Sequence, residues 1–257
     1  MFKYAIVRRP SHSLIDGISQ TPEMGKPDYD LALQQHNRYI EILRECGLEV
    51  TILEANEDYP DSVFIEDNAL CTPRGVAILS RPGAESRRGE ASLPDLHEAL
   101  ARYYDDIEQV VEPGTTDPGD IMMVGDHYYI GLSGRTNQAA ADQITAILEK
   151  HGMTAETVPV TGILHLKDDV VYLDNNNLIV AKAYENHPAF ANFNKLVVDD
   201  DEYYAVNSLW INGKVIVPEG FPKTEQKIRD CGYEVILINT SEFEKITGSL
   251  TCMSLRF

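Results

Sequence analysis

The stretch ILRECGLEVTIL at residues 42–53 recurs as KIRDCGYEVILI at residues 227–238 and, more loosely, as ILEKHGMTAETV at residues 147–158. Each copy passes from the end of a helical pattern through a glycine into an extended run, and glycine adopts the left-handed conformation after a helix at little cost. The recurrence predicts that one helix–strand unit is used several times. Cys46 and Cys231 precede two of these glycines at equivalent positions, which favours a structural role for both.

Paired extended runs lie between the helical units. Their centres carry Arg-Gly, Gly-Asp, Asn-Asn and Asn-Gly near residues 74, 125, 175 and 212, which are residue types typical of hairpin turns. A fifth pair would join TCMSLRF at 251–257 to FKYAIVRR at 2–9 and close a ring. Regular modules of this kind predict a closed α/β ring of ββαβ units, forming a single domain over residues 1–257. A doubly wound parallel sheet is the alternative, but hairpins favour antiparallel pairing.

The composition narrows the class of protein. With 22 basic and 41 acidic residues, the formal net charge is −19, a field that repels phosphate backbones and anionic membranes. No segment approaches the ~20 apolar residues of a membrane span, and the N-terminal apolar run is too short for a signal peptide. Four widely spaced cysteines without a CxxC pair indicate a reducing compartment. We therefore expect a cytoplasmic protein without nucleic-acid or membrane partners.

Three segments offer groups for nucleophilic catalysis. Cys252 lies in GSLTCMSLRF, His165 in GILHLKDDVVYL on an expected buried strand, and Asp117 in the turn-like PGTTDPGD. A thiol with its usual pKa of about 8.5 is a weak nucleophile without a partner. A histidine oriented by a carboxylate is such a partner. The alternative is structural: a core cysteine, a satisfied core histidine and an ordinary turn aspartate.

Charged residues of both signs indicate the ligand. Asp61, Glu66 and Asp67 flank an apolar stretch in YPDSVFIEDNAL, and three converging carboxylates need a cation such as a planar guanidinium. Calcium or magnesium is the alternative, although no EF-hand-like spacing accompanies these acids. Arg87 in RPGAESRRGE and Arg135 in GLSGRTN are candidate carboxylate receptors. The acidic residues would bind a cationic group and the arginines a carboxylate, so together they predict a guanidino amino acid as the small-molecule partner.

These segments, in this order, resemble the dimethylarginine dimethylaminohydrolases of the guanidino-group-modifying superfamily, particularly the bacterial form. The resemblance covers essentially the whole chain and is carried jointly by PDSVFIED, RPGAESRRGE and CMSLRF. It implies a five-bladed α/β propeller, whose N- and C-terminal strands pair. It also implies hydrolysis of Nω-methylated arginine to citrulline and an alkylamine through a covalent S-alkylthiouronium intermediate, with no cofactor and no metal.

The resemblance implies roles for nine residues: Cys252 as nucleophile, His165 as general acid/base, Asp117 as its supporting carboxylate, Asp61, Glu66 and Asp67 as the acidic substrate-binding segment, Arg87 and Arg135 as α-carboxylate ligands, and Ile18, in a mobile lid at 13–21, as a backbone contact of the α-amino group. One position departs from the family pattern. Close bacterial relatives have glutamate where this chain has Asp117, so either the loop approaches His165 more closely or the rate suffers.

Two other functions fit the same residues. Arginine deiminase or amidinotransferase chemistry would use the same nucleophile with a different leaving group or acceptor. A catalytically inactive, amino-acid-binding propeller would use only the charged residues. The sequence is also compatible with a homo-oligomer.

Overall fold

The computed structural model describes residues 1–257, which form fifteen strands and six α-helices joined by short 3₁₀ turns. In chain order the elements are β1 (Tyr4–Arg8), α1 (Tyr29–Glu45), β2 (Glu49–Leu53), β3 (Ala69–Cys71), β4 (Val76–Leu79), α2 (Pro94–Leu100), β5 (Asp106–Gln109), β6 (Ile121–Val124), β7 (His127–Leu132), α3 (Gln138–Lys150), β8 (Thr154–Pro159), α4 (Leu166–Asp169), β9 (Val170–Asp174), β10 (Asn177–Val180), β11 (Asn194–Val197), β12 (Leu209–Ile211), β13 (Lys214–Pro218), α5 (Pro222–Asp230), β14 (Glu234–Ile238), α6 (Ser241–Glu244) and β15 (Leu255–Arg256).

The strands form five three-stranded sheets of one design. In each sheet two strands pair antiparallel and a third joins the middle strand in parallel, as in β6–β7–β8. A parallel partner needs a crossover connection, and α3 supplies it between β7 and β8. The sheet β15–β1–β2 combines the two ends of the chain, with Ile6 opposite Leu255. The predicted five-bladed propeller of ββαβ modules, closed by its terminal strands, is confirmed.

The repeated helix–strand joints have the predicted conformation. Gly47, Gly152 and Gly232 have φ values of +89°, +75° and +88°, so each turns the chain from a helix into the third strand of its sheet. The predicted equivalence of the two cysteines is only partly right. Both residues cap the C-terminal end of a helix, but Cys46 is buried in the largest hydrophobic cluster, whereas Cys231 is exposed.

Apolar clusters lie between neighbouring sheets and join them. One cluster combines Leu70 and Ile78 of the second sheet with Ile121 and Tyr128 of the third. Burying a leucine or isoleucine side chain stabilises the fold by about 1.5–3 kcal/mol, so these clusters hold neighbouring sheets together. Because the clusters supply the stability, the loops at the ring's axis can carry polar side chains.

His165 does not lie in a strand, as the sequence pattern indicated. It precedes the one-turn helix α4, and β9 begins only at Val170. The reason is local: Asp168 accepts a hydrogen bond from the His165 backbone N–H at 3.1 Å, in the manner of a capping box. No helix in the chain combines the length and apolar character needed to cross a bilayer.

Candidate active site

A small pocket of about 30 Å³ lies among the loops at one end of the ring. Its lining comes from segments that are far apart in sequence, namely Ile18, Asp61, Phe64, Asp67, Arg87, Arg135, Leu164, His165, Ile246, Thr247 and Cys252. The structure therefore brings together seven of the nine residues singled out in the sequence. Of the other two, Asp117 lies directly behind His165, and Glu66 faces elsewhere.

His165 and Asp117 form a buried pair. The ring Nε2 lies 3.1 Å from Asp117 Oδ2, and the exposed fractions of the two residues are 4% and 0%. The backbone N–H of Gly83 donates to Asp117 Oδ1 at 2.8 Å, which fixes the orientation of the carboxylate. An aspartate therefore reaches the imidazole in this chain, because its loop approaches the ring closely enough.

Neighbouring carboxylates make the His165 ring a strong base. Burial alone would favour the neutral ring, but the carboxylates of Asp67, Asp117 and Asp120 outweigh it and raise the pKa of His165 to about 10. Although burial opposes its charge as well, the contact with His165 keeps the pKa of Asp117 below its usual value. At neutral pH the pair is therefore an imidazolium and a carboxylate, and the ring can donate a proton.

Cys252 lies in the 3₁₀ turn Thr251–Met253, immediately before the terminal strand β15. Its backbone N–H donates to the carbonyl of Ser249 at 3.2 Å, and only 6% of the residue is exposed. Burial, followed by the charges of Glu66, Asp67 and Asp168, raises the pKa of the thiol well above its usual range. At neutral pH the sulfur is therefore protonated, and a cation bound beside these carboxylates would favour the thiolate.

The three acidic residues of the segment YPDSVFIEDNAL line two different cavities. Asp61 and Asp67 line the pocket, where Asp61 accepts from the Ile18 N–H at 2.9 Å. Burial raises the pKa of Asp61. Glu66 instead contacts Lys167 at 2.6 Å and Arg256 at 2.7 Å, and it borders a larger cavity of about 900 Å³. Residues 65–68 form a 3₁₀ turn, in which adjacent side chains point in different directions.

The two arginines differ in how many hydrogen bonds they already make within the chain. Arg135 is half-buried at the pocket wall, and its Nη1 lies 3.5 Å from Asp117 Oδ2. Arg87 is buried and donates to Asp67 at 2.6 Å, to both oxygens of Glu90 and to the carbonyl of Phe64. The Arg135 guanidinium makes no hydrogen bond within the chain, whereas that of Arg87 makes several, although both side chains line the pocket.

Comparison with known proteins places the chain in a family. Residues 19–218 match the family model described as eukaryotic N,N dimethylarginine dimethylhydrolase. The chain belongs to the dimethylarginine dimethylaminohydrolase family. It is 49% identical to the dimethylarginine dimethylaminohydrolase of Pseudomonas aeruginosa over 100% of both chains, and 39% identical to that of Streptomyces coelicolor over 99% of this chain and 96% of the relative.

A solved structure of the Pseudomonas aeruginosa enzyme matches the whole chain. Its cysteine-to-serine variant complexed with citrulline superposes with a TM-score of 0.97 at 49% identity, covering 100% of both chains. The family predicted from PDSVFIED, RPGAESRRGE and CMSLRF is thus confirmed.

In this member of the dimethylarginine dimethylaminohydrolase family, the predicted lid segment 13–21 borders the pocket through Ile18. Besides the contact of Ile18 with Asp61, the Ser19 hydroxyl donates to the Lys245 carbonyl at 2.7 Å, and the Gln20 N–H donates to Thr247 Oγ1 at 2.8 Å. These three contacts hold the segment against the pocket wall, and its motion stays a prediction.

Several residues at the site were not assigned a role from the sequence. Asp120 accepts from the hydroxyls of Ser133 and Thr136, both at 2.7 Å, and from the Leu166 N–H at 3.0 Å, so it ties the Arg135 loop to the His165 segment. Its position in the PGTTDPGD motif was the available signal. Other contributors carry no chemical signal in sequence, and these are Phe64, Leu164, Ile246 and Thr247.

A metal ion is the alternative occupant that the geometry admits. One ligand atom each of Asp67, Asp117 and His165 lies within 4.8 Å of the others. However, the guanidinium of Arg87 already contacts Asp67 at 2.6 Å, and Nε2 of His165 already contacts Asp117 at 3.1 Å. All three candidate ligands therefore have partners within the chain.

Proposed function

We propose that this chain hydrolyses Nω-methylated arginine to citrulline and an alkylamine through a covalent bond to Cys252. The observation that carries the proposal is the convergence of a thiol, an imidazolium paired with Asp117, and the carboxylates of Asp61 and Asp67 on one small pocket. The relative of known structure binds citrulline in its cysteine-to-serine form, which supports the same product here.

The first step is binding, which creates the nucleophile. The substrate guanidinium lies against Asp61 and Asp67 and offsets the negative field that holds the proton on Cys252. The thiol releases its proton to solvent, and the thiolate attacks the guanidino carbon. His165, already protonated, donates its proton to the methylated nitrogen, and the carbon–nitrogen bond breaks as neutral amine departs.

The second stage restores the enzyme. The neutral His165 ring accepts a proton from water while the water oxygen attacks the thiouronium carbon. The carbon–sulfur bond then breaks, and the hydroxyl proton of the adduct passes to the Cys252 sulfur, which releases citrulline and restores the thiol. The departed amine takes up the proton that the thiol lost. Every step uses groups of the chain, the substrate and water, so the proposal requires no cofactor.

The substrate orientation follows from charge. Arg135 is a cation at the pocket wall that is available for the α-carboxylate, and the backbone of Ile18, which also lines the pocket, would contact the α-amino group. We place the protein in the reducing cytoplasm, a proposal supported by four cysteines that are all free.

The decisive experiment compares substrates. The protein is incubated with asymmetric dimethylarginine, arginine and citrulline, and dimethylamine, ammonia and ureido product are measured. We expect dimethylamine and citrulline in equal amounts from dimethylarginine, no turnover by Cys252→Ser, and unchanged turnover by Cys231→Ser, a control at the exposed cysteine. Faster release of ammonia from arginine would establish a deiminase instead, and binding without any product would establish an inactive propeller.

A further inference from the structure

Asn207 is a buried amide that no step of the proposed reaction uses. It follows the 3₁₀ segment Asp200–Val206 and precedes β12, and only 3% of the residue is exposed. Its φ and ψ of −79° and 57° are those of an inverse γ-turn, which the Ser208 N–H closes by donating to the Val206 carbonyl at 2.8 Å. The backbone therefore holds the base of this side chain in place.

The two ends of the amide join the segments that carry the nucleophile and the acid/base. Asn207 Oδ1 accepts from the backbone N–H of Thr251, the residue before Cys252, at 3.0 Å. Asn207 Nδ2 donates to the backbone carbonyl of Lys167 at 3.1 Å, in the one-turn helix α4 that follows His165. An N–H needs an acceptor and a carbonyl needs a donor, so the two partners fix which way the amide lies.

A second connection joins the same two segments, but it runs through long side chains. Lys167 Nζ and Arg256 Nη2 both contact Glu66 Oε1, at 2.6 Å and 2.7 Å. Arg256 Nη1 in turn donates to the Thr251 carbonyl at 2.9 Å. Lysine and arginine side chains have several rotatable bonds, so this connection adapts when either segment shifts. The short side chain of Asn207 links backbone to backbone and cannot adapt in this way.

We propose that Asn207 is a positioning residue, which sets the place of the His165 ring relative to the sulfur of Cys252. This inference rests on the proposed function, in which the thiolate attacks and the imidazolium donates a proton to the departing nitrogen. Both groups act on one carbon–nitrogen bond, and a displacement of about 1 Å can cost roughly a hundredfold in rate. Asp67 and Arg135, at the pocket wall, lie on other segments, so substrate binding does not depend on this link.

The test compares two substrates whose leaving groups differ in their need for a proton. Asymmetric dimethylarginine loses dimethylamine, whose anion is too basic to leave before His165 has donated a proton. S-methyl-L-thiocitrulline has the same amino-acid end but loses methanethiol, which leaves as a weakly basic thiolate. Hydrolysis of the intermediate also uses His165, so release of the leaving group is measured in the first turnover, by rapid mixing with enzyme in excess.

The variant is Asn207→Ala, which removes both hydrogen bonds. Asn177→Ala is the matched control, because the Asn177 amide also uses both of its ends, outside the pocket. It donates to Tyr233 Oη at 2.8 Å and accepts from Asn194 Nδ2 at 3.2 Å. The dissociation constant of citrulline, the product, is measured for each protein as a readout of binding alone.

We expect Asn207→Ala to slow the release of dimethylamine about a hundredfold and the release of methanethiol less than about tenfold. The dissociation constant of citrulline should stay within about twofold of wild type, since the binding groups are untouched. Asn177→Ala should match wild type in all three measurements. Equal losses on the two substrates, no loss on either, or an equal weakening of citrulline would each overturn the proposal.

A second variant covers the case in which Asn207→Ala does not fold. Asn207→Asp keeps the shape and the acceptor for the Thr251 N–H, and at pH 8, where a carboxyl group is ionised, it lacks the donor to Lys167. The added negative charge slows thiolate attack on both substrates alike. The ratio of the two release rates should therefore still change about tenfold, and an unchanged ratio would overturn the proposal.

Failure of the proposed function is visible separately. If the wild-type chain releases a leaving group from neither compound, the proposed function fails by itself. Crystal structures of wild type and of the folded Asn207 variant then decide the role of this residue. Residues 165–169 should be displaced relative to residues 251–253 in the variant, and unchanged positions would overturn the proposal.

Discussion

The imidazole of His165 lies so close to the backbone of Gly119 that a β-carbon added to Gly119 would be 2.5 Å from the ring Nδ1 and 2.8 Å from Cγ. Contacts under 3.0 Å do not occur without displacement of one group. The second glycine of PGTTDPGD is therefore required, because the imidazole ring leaves no room for a side chain at this position.

Gly119→Ala should inactivate the enzyme while leaving most of the fold intact. The methyl group must displace either the ring from Asp117 or the turn that holds Asp67, and a misplacement of about 1 Å can cost roughly a hundredfold in rate. Overpacking should lower the free energy of unfolding by about 1–3 kcal/mol. The matched control is Gly134→Ala, where an added β-carbon has no neighbour within 4 Å. Wild-type kcat in Gly119→Ala would show that the ring has room to move.

Asp117→Asn should lower the rate and shift its dependence on pH. The carboxylate is one of three that raise the pKa of His165 to about 10, so the amide lowers that pKa and less of the ring is protonated at high pH. The alkaline limb of kcat should therefore move to lower pH, and kcat should fall about 10²- to 10⁴-fold. Asp117→Glu, which keeps the charge, should retain more activity. An unmoved alkaline limb in Asp117→Asn would remove this carboxylate from the mechanism.

The fold could be predicted from the sequence because its signals are local and repeated. The glycine that follows each of the helices α1, α3 and α5, and the turn residues between paired strands, can be read directly from the sequence, as at Gly47 and Gly232. The site was located by its motifs, and Cys252 and His165 do line one pocket. That step relied on the resemblance, since convergence at a ring's axis is a long-range property that spacing along the chain does not express.

The parts that sequence did not reveal depend on side-chain direction and long-range neighbours. Glu66 and Asp67 are adjacent, yet only Asp67 faces the pocket. Whether an arginine can bind a ligand depends on which residues already accept its hydrogen bonds. Nothing in RPGAESRRGE shows that Arg87 donates to Glu90. Likewise, Cys46 and Cys231 follow similar sequence patterns, yet only Cys46 is buried.

The thiol of Cys252 should react slowly in the free enzyme and faster at high pH. Burial and three carboxylates raise its pKa well above the usual range, so iodoacetamide modification should still be accelerating above pH 9. Asp67→Asn removes one of these charges and should speed the modification at pH 8, by tenfold for each unit by which the pKa falls. Peptide mapping separates this site from the exposed Cys231, which substrate should not protect. Fast modification of Cys252 in the free enzyme at pH 7 would contradict the raised pKa.

His36 should make the protein sensitive to acid. Its ring is fully buried among Tyr39 and Phe243, neither ring nitrogen has a hydrogen-bond partner, and burial, with a smaller effect of Arg9, lowers its pKa from 6.5 to about 3. Between these two pH values the unfolded chain binds the proton and the folded chain does not. Stability therefore falls as the pH falls, by about 1.4 kcal/mol per pH unit from this group.

His36→Leu should remove this contribution, whatever its effect on stability at neutral pH. We expect the loss of unfolding free energy between pH 7 and pH 4.5, measured by urea denaturation, to be smaller in His36→Leu than in wild type by about 2–3 kcal/mol. Carboxylates that titrate in the same range are common to both proteins and cancel in the difference. His97→Leu, at an exposed histidine, is the control and should retain the wild-type loss. Equal losses in His36→Leu and wild type would mean that the folded protein accepts a proton on this buried ring, through an opening of α1 from the sheet it covers.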